Sequence, residues 1–81
     1  MSCFVYKYEG VIHESSVAHY IESGCDKYKV ELADGLSIVV AQAGMRTDEN
    51  KIIWVQSHIT EEVEYAHDLV QAIGEGIESM H

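Results

Sequence analysis

The sequence predicts an α+β domain: an antiparallel meander of four to five strands with a single C-terminal helix packed on one face. Three observations predict it. Apolar and polar residues alternate through Lys27–Leu32, and apolar residues resume beyond the turn signal Asp34-Gly35. The run Ile52, Ile53, Trp54, Val55 is apolar on both sides of a strand. From Ile59 onward the apolar spacing changes to three and four, the period of a helix. A length of 81 residues makes one domain, 1–81. A chain this short buries only about 60% of its unfolded surface, so every large apolar side chain counts.

At the N-terminal end, Phe4, Tyr6 and Tyr8 alternate with Val5 and Lys7, which predicts a first strand. Residues 11–22 read two ways. As a strand they set Val17, His19 and Ile21 against Ala18 and Tyr20; as a short helix they would be capped by Ser16 and stopped by Gly24. The density of valine, isoleucine and tyrosine favours the strand. The next segment reads as a hairpin, and its loop length decides its faces. A two-residue loop would leave Leu36, Ile38 and Val40 on the charged side. A three-residue loop, Ala33-Asp34-Gly35 with Gly35 left-handed, sets Leu32 opposite Leu36 and Val30 opposite Ile38. That register gathers Tyr28, Val30, Leu32, Leu36, Ile38 and Val40 on one face and is preferred. A polar loop over 43–50 and a strand over 51–56 follow. The helical pattern then places Ile59, Val63, Ala66, Val70, Ile73, Ile77 and Met80 on one side, with Thr60 as the expected N-cap. Gly74 and Gly76 weaken this helix by about 1 kcal/mol each relative to alanine. They flank the apolar stripe, where they would let a sheet approach closely.

The segment DLVQAIGEGIESM, after a strand ending IIWVQ, resembles the C-terminal part of small uncharacterised bacterial domains with an antiparallel sheet and one C-terminal helix. The resemblance covers the last third of the chain and carries no catalytic motif. It implies a fold and no activity.

Composition narrows the function classes. Fourteen acids against five bases give a formal charge of −9, and no lysine or arginine follows Lys51. Nucleic-acid binding needs a basic footprint and is not expected; the charge argues against anionic membrane surfaces on the same ground. No run approaches the roughly 20 apolar residues of a membrane span. The first residues lack the pattern of a signal peptide, so the cytoplasm is the expected compartment. Cys3 and Cys25 fit reduced thiols there.

Chemistry-bearing residues are scattered. His13, His19, His58, His67 and His81 form none of the local pairs that zinc sites use, and are expected at the surface or at edges. Neither cysteine lies in a nucleophile motif. The acids of the helix are spread along a face rather than gathered in a calcium loop. Arg46, the only arginine, falls in the loop over 43–50. No catalytic residue, cofactor site or metal site is predicted, and an enzyme is disfavoured.

One helix covers one face of a sheet. Ile53, Val55 and Val39 then fall on the other face, where they form the candidate interface. The cover is either the N-terminal region folding back with Val11, Ile12 or Ile21, or a second copy of the chain. Trp54 suits a core and an interface equally. The expected function is a non-catalytic protein-interaction module, with a protein partner or itself as homodimer, self-associating through the second sheet face. The alternative is a small-ligand binder with a pocket between helix and sheet.

Overall fold

The structure is a computed structural model and describes residues 2–32, 35–57 and 65–80. Two dipeptides turn the chain early. Glu9-Gly10 has φ angles of 51° and 78°, and Ser23-Gly24 has 53° and 79°. Positive φ at both central residues defines the two-residue hairpin loop whose twist matches its strands. Glycine accepts this conformation freely; Glu9 and Ser23 hold it at a cost of about 1–2 kcal/mol each. Tyr8 therefore faces Val11, and Glu22 faces Cys25. The result is three adjacent strands, β1 (Ser2–Tyr8), β2 (Val11–Glu22) and β3 (Cys25–Glu31). Residues 11–22 are strand throughout, which decides the choice left open by the sequence.

The next hairpin takes the preferred register. Val30 faces Ile38, Gly35 has φ of 84°, and the Leu32 amide donates to the Leu36 carbonyl at 2.8 Å. Ala33 and Asp34, the rest of the expected loop, lie outside the described residues. β4 (Ser37–Arg46) runs further than expected. The loop predicted over 43–50 is strand as far as Arg46, and the turn shrinks to 47–51, closed by the Thr47 amide on the Lys51 carbonyl at 2.9 Å. A bulge explains the difference: Gln42 faces Trp54 and Arg46 faces Ile52, so Ala43, Gly44 and Met45 stand opposite Ile53 alone. β5 (Ile52–Gln56) completes a sheet in the order β1-β2-β3-β4-β5.

Alternation sends one set of side chains to a common inner face. Phe4, Tyr6, Val17, Val30, Ile38, Val40 and Trp54 are buried there with Val70, Ile73 and Ile77 of α1 (His67–Glu78). Each fully buried side chain of this kind stabilises by about 1.5–3 kcal/mol. Trp54, at 1% exposure, is a core residue. The helix lies against β1, β5 and, less extensively, β4. β1 and β5 are the two edges of the sheet.

Both edges meet a glycine. A Cβ at Gly74 would stand 2.0 Å from Trp54 Cγ; one at Gly76 would stand 2.6 Å from the Val5 carbonyl oxygen and 2.7 Å from Tyr6 Cβ. The expected close approach is therefore made twice, once to each edge. Gln71 adds a polar seal on β5. Its Oε1 accepts from the Trp54 amide at 2.9 Å and its Nε2 donates to the Ile52 carbonyl at 2.8 Å. One side chain thus supplies the donor and acceptor that a sixth strand would have offered.

Three expectations are corrected. The described helix begins at His67, with Ala66 as an extended N-cap at ψ 141° and no side-chain cap; Ile59, Thr60 and Val63 lie outside the described residues. Met80 is past the helix end and 37% exposed, and Ala66 is exposed. Leu36 and Ile21 are 46% and 68% exposed. Among the described residues the α1 backbone runs along β1, β4 and β5 and does not approach that of β2 or β3.

Candidate functional site

The outer face of the sheet carries the side chains that the pleat turns away from the core. On β4 these include Val39 and Ala41, and on β5 Ile53 and Val55. Ala41 pairs directly with Val55, and Val39 lies one step along, where its carbonyl accepts the Ser57 amide at 2.7 Å. The three residues singled out from the sequence thus share one face of two adjacent strands. They differ in exposure: Val39 and Ile53 are half-buried, and Val55 is 36% exposed. Lys29 sits beside Val39 in the ladder, and the Lys27 ammonium donates to Ser57 Oγ. β3 therefore lays two cations along one border of the patch. Glu31, opposite Ser37, follows them on the same strand.

The N-terminal region does not fold over this patch. The Glu9-Gly10 turn lays β1 beside β2 in the plane of the sheet, and Val11, Ile12 and Ile21 are 55%, 71% and 68% exposed. Sequence reasoning missed a second apolar pair on the outer face, Val5 and Ile12, which lie diagonally across β1 and β2. The alternation of Phe4 and Tyr6 about Val5 was the signal available for it.

The inner face also holds a polar-aromatic chain that single-residue reasoning did not find. His19 Nε2 lies 2.8 Å from Asp26 Oδ1, and its ring stacks on Tyr28 at a centroid distance of 4.9 Å. Tyr28 meets Trp54 edge-on at 5.5 Å, and Trp54 Nε1 donates to Glu78 Oε2 at 2.9 Å. Burial, with a smaller push from Asp26, raises the Tyr28 phenol above its usual value. The pairing across β2 and β3 explains the contact: His19 faces Tyr28, and Asp26 is two residues along. A catalytic histidine of the nucleophile-activating kind holds a hydroxyl or thiol as well as an acid. Among the described residues no hydroxyl or thiol hydrogen-bonds the His19 ring.

The remaining candidates stay apart. Cys3 and Cys25 are exposed free thiols. His13 is half-buried and stacks on Tyr6 at 5.1 Å, whereas His67 is exposed at the start of α1. His58 and His81 lie outside the described residues. Among the described residues no three His, Cys, Asp or Glu side chains are grouped to hold a metal ion. Among the described residues no helix is long and apolar enough to cross a membrane. Arg46 ends β4 next to the last turn of α1, where it lines a groove with Lys51, Glu75 and Glu78.

Comparison with family models, with curated proteins and with solved structures found no match.

Proposed function

We propose that this chain is a non-catalytic interaction domain that pairs with a second copy of itself through the outer face of β4 and β5, while α1 covers the inner face. The observation that carries this is the separation of apolar surface and charge. Val39, Ile53 and Val55 lie together on the outer face, bordered by Lys27 and Lys29. Asp68, Glu75 and Glu78 belong to α1, on the opposite side of the sheet. A two-fold pair is the commonest closed assembly. It would bring Val55 near its own symmetry mate and keep the helix acids of the two copies apart. It would also place a lysine border within reach of the partner's Glu31 side, the complementarity that fixes register at interfaces.

Sedimentation near physiological salt tests this with wild type and Val55→Glu. The side chain is partly exposed in the single chain, so the glutamate leaves the fold intact, as circular dichroism would confirm. Wild type is expected to dimerise with rising concentration and Val55→Glu to remain monomeric. A wild-type monomer at high micromolar concentration, or a Val55→Glu chain that dimerises equally well, would refute the pairing.

A further inference from the structure

At the end of the sheet where α1 stops, an open groove of about 330 Å³ separates the β4–β5 turn from the last turn of the helix. Arg46, Asn50, Lys51 and Ile52 line one wall; Glu75, Glu78 and Ser79 line the other. Two of the five bases in the chain thus face two carboxylates. Among the described residues no ion pair joins the walls. An exposed pair across such a gap would gain only about 0–1 kcal/mol, too little to draw the walls together.

Three of the four charges are held by a hydrogen bond, two of them from their own wall and Glu78 from β5. Arg46 Nη1 donates to the Asn50 carbonyl at 3.3 Å. Glu75 Oε2 accepts from Gln71 Nε2 at 3.2 Å, and Glu78 Oε2 accepts from the Trp54 indole at 2.9 Å. Among the described residues nothing bonds the other oxygen of either carboxylate, and nothing bonds the Lys51 ammonium. The walls therefore hold positive charge on one side and negative charge on the other, and that arrangement selects a ligand. A simple anion that approaches Arg46 and Lys51 also approaches Glu75 and Glu78. A simple cation meets the reverse penalty. A small molecule with one charge of each sign satisfies both walls. The volume is at the low end of the roughly 300–1,000 Å³ found for ligand pockets.

We propose that this groove binds a small zwitterion of the α-amino-acid type. Its carboxylate lies against the Arg46 fork and Lys51, and its ammonium lies against the other oxygens of Glu75 and Glu78. The groove is distinct from the outer face of β4 and β5, so binding here and pairing there stand or fall separately.

The test is an NMR titration of backbone amides with L-alanine, using acetate and methylammonium as singly charged controls. L-Alanine is expected to shift the amides of residues 46–52 and 75–79 saturably, and each control to bind about tenfold more weakly or worse, a difference near 1.4 kcal/mol. Lys51→Ala and Glu75→Gln should each weaken L-alanine binding by a similar factor while leaving the rest of the spectrum in place. No saturable shift at tens of millimolar L-alanine would overturn the proposal. So would acetate acting as strongly as L-alanine, or both variants binding like wild type.

Discussion

A hydrogen atom is the largest substituent that position 74 accepts. Helix propensity alone says the opposite, since alanine in place of glycine should add about 1 kcal/mol to a helix interior. Packing decides between the two. The methyl group of an alanine would stand 2.0 Å from Trp54 Cγ. Trp54 has little freedom to retreat, being 1% exposed, edge-on to Tyr28 and bonded through its indole nitrogen to Glu78. Overpacking of this kind typically costs about 1–3 kcal/mol and occasionally more. An approach of 2.0 Å belongs at the upper end of that range, so after the propensity gain Gly74→Ala is expected to lower stability by about 2 kcal/mol net in a denaturant titration; a variant as stable as wild type would show that propensity wins and the helix stands further from β5. The sequence marks Gly74 and Gly76 as positions of close approach, because they flank the stripe of Val70, Ile73 and Ile77. It does not name Trp54 and the β1 backbone as what approaches, since those neighbours come from distant parts of the chain.

At the scale of elements, legibility follows how local the signal is. Alternation in β3 and the Asp34-Gly35 signal were enough to place Val30 opposite Ile38. Glu9-Gly10 and Ser23-Gly24 make two-residue turns, but lack the asparagine or aspartate that favours positive φ at the first position. The end of β4 was misread because Gly44 suggests a loop where the chain makes a bulge and continues pairing to Arg46. Apolar spacing continues back to Ile59, but spacing alone does not show where the backbone leaves the helix. The described helix starts after a segment held to β5 by the Tyr65 amide on Gln56 Oε1 at 2.9 Å. The Gln71 clamp on β5 left no sequence signal, since glutamine on a helix flank is ordinary. Its energetic role is testable. Gln71→Ala removes the partners of the Trp54 amide and the Ile52 carbonyl, at a cost of about 1–3 kcal/mol for groups partly shielded from water. Hydrogen exchange at the Trp54 amide should accelerate more than at Val55, which faces β4. Gln71→Glu keeps the acceptor and loses the donor, so it should fall between. An unchanged rate at Trp54 in Gln71→Ala would mean that the helix backbone, not this amide, shields the edge.

For the whole molecule, the outer-face patch was readable because the sheet period of two is local and strict. The groove was not, because it joins a hairpin turn to a helix terminus some thirty residues away in sequence. Charge acts at this scale as well. Each chain carries a formal −9 within a body of 33 × 32 × 25 Å, so two copies carry a net repulsion. Screening length falls from about 10 Å at 0.1 M salt to about 3 Å at 1 M. If apolar contact between outer faces drives pairing, salt removes the net repulsion and leaves the contact, and the dimer should tighten over that range. A head-to-tail assembly behaves differently. Lys27 and Lys29 of one copy would then meet Asp68, Glu75 and Glu78 of the next, an attraction that salt weakens. Such a contact is heterologous and, unless it closes into a ring, grows past the dimer. Sedimentation equilibrium at low and high salt separates the two. A dissociation constant that falls as salt rises, with no species larger than a dimer, is the outcome expected of the outer-face pair. Association that weakens with salt, or that builds longer chains, would place the contact on the lysine border and the acidic helix instead.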